Sequence, residues 1–332
     1  MNCVVTGAGG FIGSHLCERL LDLGHQVTGI DAFIPYYPKP VKEANLSVLR
    51  RQHAFQFAGV DLRRDDLSDS LAGAEVIFHL AAMPGLAESW VDFDGYSSCN
   101  IHATQRLLES ARRMSNRPRK IIYASTSSVY GRFASGDETL PTRPISPYGV
   151  TKLAAEHLCR AYGEAYGLNV VALRFFSVYG PRQRPDMAYH RFMKALLCDE
   201  PVTLYGDGHQ VRGNTYVGDC VEATIKAIEA IPGEIYNIGG GEAVNMLDVL
   251  AKLEALTGRR FVRKMEPARA GDQRHTFADT TKLRRHLGWE ARTSLDEGLT
   301  RQWQWHQAEH ARTAAASHPQ DAHASSSRPA SS

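Results

Sequence analysis

The sequence predicts an α/β protein, a doubly wound parallel sheet with helices on both faces and a smaller C-terminal lobe. Three observations carry that expectation. Short apolar runs recur at Cys3-Val4-Val5, 26–30, Phe55-Gln56-Phe57, 76–80, 120–124 and 170–174, with helix-patterned stretches such as 101–113 between them. The first run leads into Thr6-Gly7-Ala8-Gly9-Gly10-Phe11-Ile12-Gly13, and a helix pattern of Leu16, Leu20, Leu21 and Leu23 follows. Finally, 332 residues with 43% hydrophobic content suffice for a large core.

Strand, glycine loop and helix in that order form the first unit of a Rossmann-like fold. Glycines at 7, 10 and 13 let the backbone turn tightly, approach a pyrophosphate and pack helix on strand, and the helix N-terminus offers unpaired N–H groups to an anion. The second run, 26–30, ends in Asp31, near the ~20-residue offset at which a carboxylate accepts a ribose 2′-hydroxyl. Ala32 follows rather than arginine, so NAD is expected over NADP, with Lys39 and Lys42 the nearby cations that speak the other way. Ligands should lie beyond the carboxyl ends of the strands.

The remaining elements follow in order. Residues 146–152, Ser146-Pro147-Tyr148-Gly149-Val150-Thr151-Lys152, open a helix: serine caps it, proline suits its first turn, and Leu153, Ala154 and Leu158 continue one side. Tyr148 and Lys152, four residues apart, share a face. This is the one Tyr-x-x-x-Lys pair in the chain, and an ammonium beside a phenol favours the phenolate, which makes a proton carrier. The run at 120–124 ends in the hydroxyl cluster Ser125-Thr126-Ser127-Ser128-Val129-Tyr130-Gly131. After about residue 176 the texture turns to loops rich in Gly, Pro and Arg, which suggests a substrate-binding lobe closing over something anionic. Helix patterns at 246–257 and 295–305 should pack against it.

Composition excludes several classes. A net charge of +2, spread throughout, gives no nucleic-acid footprint and no polybasic membrane anchor. Cysteines at 3, 17, 99, 159, 198 and 220 have no C-x-x-C or zinc-finger spacing, so no metal site is expected and the thiols read as reduced and cytoplasmic. His306 and His310, spaced i,i+4, read as surface histidines. No signal peptide or membrane span is expected, and residues 307–332 read as a disordered tail.

These motifs together resemble the extended short-chain dehydrogenase/reductase family, in its nucleotide-sugar epimerase and dehydratase branch. The carriers are the glycine loop, Asp31, Asp61-Leu62, His79-Leu80-Ala81-Ala82, residues 125–131, Tyr148 with Lys152, and 173–183. The resemblance implies NAD held by Gly7, Gly10, Phe11, Ile12, Gly13, Asp31, Asp61, Leu62, Leu80, Ala81, Ala82, Tyr148 and Lys152. It makes Thr126, Tyr148 and Lys152 catalytic. In the second lobe it assigns Arg212, Arg269 and Asp272 to the diphosphate and ribose of a UDP-sugar, and Leu204 and Tyr205 to its base. It divides the chain into a dinucleotide-binding domain, 1–176 plus about 212–237, and a nucleotide-sugar lobe, 177–211 and 238–306, and it suggests a homodimer.

Where dehydratases of this branch carry Asp-Glu and UDP-glucuronate decarboxylases Ser-Glu after the catalytic threonine, this chain has Ser127-Ser128. Without a carboxylate for proton abstraction, simple 4-epimerisation is expected. Thr126, Ser127, Ser128, Ser177 and Arg184 resemble the substrate contacts of UDP-glucuronate 4-epimerases, in which neutral donors hold a C6 carboxylate. One departure is Met83-Pro84-Gly85-Leu86-Ala87-Glu88, where those enzymes usually show Gln-Ala-Gly-Val-Arg-Tyr. UDP-glucose or a UDP-N-acetylhexosamine is therefore the alternative substrate. Decarboxylation, 4,6-dehydration and a catalytically silent NAD-sensing module stand behind it.

Overall fold

The computed structural model describes residues 1–268 and 271–317. Seven strands form the main sheet, in the spatial order Ile235–Ile238, Val170–Phe175, Lys120–Thr126, Val76–His79, Asn2–Thr6, Gln26–Ile30 and Phe55–Ala58. Every pairing is parallel, with Val5 opposite both Gly29 and Phe78. Strand order reverses between Asn2–Thr6 and Val76–His79, which opens the ligand crevice beyond the carboxyl ends there.

Alternation along the strands divides the core in two. Val5, Phe78 and Ile122 face a cluster with Leu16, Leu20 and Val221, from helices Phe11–Asp22 and Val217–Lys226. Val4, Ile77 and Tyr123 face the other side, with Leu107, Leu108, Ala155 and Cys159 from helices Ala103–Arg113 and Pro147–Tyr166. A period of two on strands buried on both faces thus produces near-continuous apolar runs. Helix Pro147–Tyr166 begins as expected: Ser146 accepts from the Gly149 N–H at 3.1 Å, Pro147 occupies the first turn, and Gly167 ends the helix at φ 69°.

A second sheet joins Ala243–Asn245, Val211–Tyr216, His275–Ala278 and Phe133–Gly136, with Ser177–Tyr179 also paired to Val211–Tyr216. Its Phe133–Gly136 strand comes from inside the range assigned to the first domain. Conversely, Leu283 and Trp289, from the range assigned to the second lobe, pack in the core of the main sheet. Helices Ala188–Cys198, Met246–Thr257 and Leu295–Ser317 pack around Phe192, Met193, Leu250, Leu253, Leu299 and Trp303.

Two expectations about the C-terminus are corrected. Helix Leu295–Ser317 runs on past residue 307, where a disordered tail was expected, because an anchored helix propagates readily through alanine-rich sequence. Residues 318–332 lie outside the described residues. His306 is a core residue at 5% exposure, its ring 4.5 Å from that of His190 and 4.8 Å from that of Trp305, whereas His310 is exposed. Its Nε2 is buried without a hydrogen-bond partner among the described residues.

Burial, reinforced by His190, pulls His306 down to about 3 from 6.5; burial likewise brings His79 to about 3 and His15 to about 4. The unfolded chain therefore binds protons that the folded protein refuses, so stability present above pH 6.5 is lost as pH falls toward 4 and 3. Urea midpoints measured from pH 7 to pH 4 should fall, and His306→Phe should flatten the slope by about one proton. An unchanged slope would contradict this account of His306.

Candidate active site

Two adjoining cavities lie beyond the carboxyl ends of the main strands. The first, about 270 Å³, is walled by Gly7, Gly10, Phe11, Ile12 and Gly13 of the glycine loop and by Asp31, Asp61 and Leu62. Leu80, Ala81, Ala82, Thr126, Tyr148 and Lys152 complete the expected set. The second, about 620 Å³, is lined by Ser177, Arg184, Leu204, Tyr205, Arg212 and Asp272. Tyr36, Met83, Val178, Arg184 and Met187 border both, so the cavities communicate. Ser127 and Ser128 border neither; they are buried, and Ser128 donates its N–H to Thr126 Oγ1 at 3.2 Å. Arg269 lies outside the described residues.

The first cavity has the donor set and clearances that a dinucleotide needs. A Cβ on Gly13 would stand 2.1 Å from the Gly7 carbonyl oxygen, and one on Gly7, at φ 73°, would stand 2.9 Å from the Ala81 nitrogen. Gly10 meets only the Gly7 oxygen within 4 Å, leaving open space at the helix N-terminus for phosphate. Asp31 is buried and fixed by the N–H groups of Gly9 at 3.1 Å and Phe33 at 2.8 Å. Lys42 is taken up by Asp31 at 3.9 Å and the Ile34 carbonyl at 3.2 Å, and Lys39 by Glu43 at 3.4 Å. Neither lysine is left as a free site for a 2′-phosphate. Gly13→Ala should weaken NAD binding by roughly 10- to 100-fold, the equivalent of the ~1–3 kcal/mol that overpacking costs. Calorimetry with NAD checks this, and unchanged affinity would contradict it.

At the other end of the cavity, Tyr148 and Thr126 share the wall, and the ring of Tyr148 meets that of Tyr96 edge-on at 6.2 Å. Lys152 is buried, its Nζ 4.3 Å from the centre of the Tyr123 ring. Burial raises the Tyr148 phenol above its ordinary range, while the Thr126 hydroxyl and the charge of Arg184 act in the opposite direction. Burial draws Lys152 down to about 7. The sequence singled out Lys152 as the cation that eases ionisation of Tyr148. In the folded protein desolvation lowers that ammonium, and the Thr126 hydroxyl and the charge of Arg184 also favour the phenolate.

Several site residues escaped the sequence reading. Asn100, within the π-helical turn Ser98–His102, accepts from Met83 N–H at 2.7 Å and donates to the Met83 carbonyl at 3.1 Å and Thr151 Oγ1 at 3.0 Å. It ties the 83–88 loop to the Tyr148 helix. Arg63 borders the first cavity and grips Asp61 with Nε at 3.0 Å and Nη2 at 2.8 Å. Arg191 and Asp186 border the second. These residues sit in irregular loops, a first helical turn or, for Asn100, a π-helical turn, where no periodicity marks them. The resemblance was the signal available for this region: it covered the segment 184–188, Asp186 included, and named only Arg184 of it as a substrate contact.

A glycine-loop α/β sheet with a buried Tyr-x-x-x-Lys pair on the wall of its cofactor cavity defines a dinucleotide-dependent enzyme. A profile described as "NAD dependent epimerase/dehydratase family" matches residues 3–239, and the chain belongs to that family. A Bacillus subtilis (strain 168) protein described as an uncharacterized UDP-glucose epimerase is 46% identical over 90% of this chain and 96% of its own length. The UDP-glucuronate 4-epimerase of Thermodesulfobacterium geofontis is 34% identical over 91% of this chain and 95% of its own. The crystal structure of the UDP-glucuronic acid 4-epimerase of Bacillus cereus, in complex with UDP-glucuronic acid and NAD, superposes with a TM-score of 0.90 at 42% identity. That match covers 93% of this chain and 100% of the other.

Proposed function

We propose that this protein is a UDP-sugar 4-epimerase that interconverts UDP-glucuronate and UDP-galacturonate. The observation that carries this reading is Arg184, which borders both cavities within electrostatic reach of Tyr148 and so offers a cation at the sugar end of a bound UDP-sugar. The solved Bacillus cereus relative supports it.

Bound NAD supplies the hydride acceptor, and on the return step the donor, at C4 of the sugar. Tyr148 takes the proton of the C4 hydroxyl and later returns it, with the Thr126 hydroxyl beside it favouring the phenolate. Lys152, buried beside the ring of Tyr123, faces the ribose. Arg212, held by Asp272 at 2.9 Å, grips the diphosphate together with Arg269, and Leu204 and Tyr205 flank the base. Ser177 and Arg184 hold the C6 group. Ser128, which accepts from the Thr126 hydroxyl and donates its N–H to it, braces that threonine, and Ser127 is buried next to it. A 4-keto uronate is a β-keto acid, so a fixed carboxylate also protects the intermediate from losing carbon dioxide.

A second reading, epimerisation of UDP-glucose, is favoured by Ala87 and Glu88, which leave the 83–88 loop without arginine and put an acid on the wall of the second cavity. Incubation with each sugar nucleotide, followed by proton NMR at C4, tests both. Conversion of UDP-glucuronate to its C4 epimer is expected, conversion of UDP-glucose alone would overturn the uronate assignment, and a UDP-pentose would show a decarboxylase.

A homodimer and a cytoplasmic location complete the proposal. Exposed Val150 and Tyr166 on helix Pro147–Tyr166 support the first, and six unpaired cysteines support the second. Among the described residues no helix is long and apolar enough to cross a membrane.

A further inference from the structure

The guanidinium of Arg184 already has a carboxylate partner. Its Nε donates to Asp186 Oδ1 at 3.0 Å and its Nη2 to Asp186 Oδ2 at 2.9 Å, a two-pronged pair. Asp186 is held in place from the first domain, where the Tyr36 hydroxyl donates to its Oδ2 at 3.2 Å. Asp186 borders the second cavity, and Tyr36 and Arg184 border both. Two of the three guanidinium nitrogens are therefore engaged, leaving Nη1 and one Nη2 hydrogen for a ligand. A ligand carboxylate there would share one cation with a fixed second carboxylate a few ångströms away, whereas a neutral hydroxymethyl group would meet no such repulsion.

We infer that Asp186 is a specificity-determining residue, which compensates the charge of Arg184 and thereby holds down the preference of the site for a UDP-uronate over a neutral UDP-hexose. The inference rests on the epimerase reading above and deepens it. Like charges around one cation disfavour the second carboxylate, and they act on the uronate alone, so the signature is a ratio between two substrates. A general loss of packing would lower both rates together and leave that ratio unmoved. Tyr36 belongs to the same device: without its hydroxyl, Asp186 yields Arg184 more readily to an incoming carboxylate.

The test is kcat/KM for UDP-glucuronate and for UDP-glucose, measured on the full-length NAD-bound enzyme and on Asp186→Asn, which keeps the side chain's shape and removes its charge. The expected result is a rise in the glucuronate-to-glucose ratio on the order of ten-fold, from removal of one like charge near the protein surface. Tyr36→Phe should move the ratio in the same direction by less, and it serves if Asp186→Asn does not fold. A ratio that stays put, or moves toward the neutral sugar, in an enzyme that still turns over overturns this inference alone. Unmodified enzyme that epimerises neither sugar overturns the epimerase reading, and this inference with it.

Discussion

Tyr148→Phe lowers the rate of UDP-sugar epimerisation by about 10³-fold, within the range attributed to a positioned acid/base, and leaves NAD bound. Only the hydroxyl is lost. The ring stays packed edge-on against Tyr96, and the glycine loop, Asp31 and Lys152 keep their places around the cofactor cavity. A stopped assay on UDP-glucuronate, with the protein's cofactor content measured in parallel, checks both halves. Activity within ten-fold of the unmodified enzyme would remove Tyr148 from the chemistry, and loss of the cofactor would make its role one of binding. Thr126 and Arg184, which favour the phenolate, act through that same oxygen, so removing either should move the pH dependence of the rate upward.

Glu156→Ala should cost about 3–5 kcal/mol of stability, the effect of stripping a partner from a buried ion pair. Arg174 reaches Glu156 with Nε at 3.0 Å and Nη2 at 2.8 Å, both side chains are about 5% exposed or less, and Arg174 Nη1 has no hydrogen-bond partner among the described residues. Glu156 also accepts from Ser125, next to Thr126, and lies one turn beyond Lys152, whose ammonium its charge favours. The variant therefore leaves a charge buried and loosens the strand end that carries Thr126. Urea unfolding measures the first effect; a midpoint close to that of the unmodified protein would contradict it.

Much of the fold was legible because local chemistry and tertiary demand agree. Val4 and Val5 point to opposite cores, Ser146 caps the helix it was expected to cap, and the glycines at 7 and 13 stand where any Cβ would strike backbone. The cofactor wall was legible for the same reason, since its expected residues sit at strand ends, in the loops that follow them, or in first helical turns that the pattern fixes. What escaped depends on distant partners. Phe133–Gly136 has no alternation to mark it and is a strand because His275–Ala278 lies beside it. His306 is polar, yet it is buried by His190 and Trp305, and the polar alanine-rich sequence around it conceals the helix that carries it. The serines at 127 and 128 share Thr126's chemistry, but a turn takes them away from both cavities. The burial that draws Lys152 down to about 7 was not legible, because spacing on a helix reports proximity and says nothing of desolvation.

The most direct test of the central claim follows the hydrogen at C4. UDP-glucuronate carrying deuterium at C4 should yield UDP-galacturonate with the deuterium still at C4, because hydride leaves and returns within one closed site while only the hydroxyl proton passes through Tyr148. Product at C4 carrying protium from solvent, or a sugar unchanged at C4, would contradict the account.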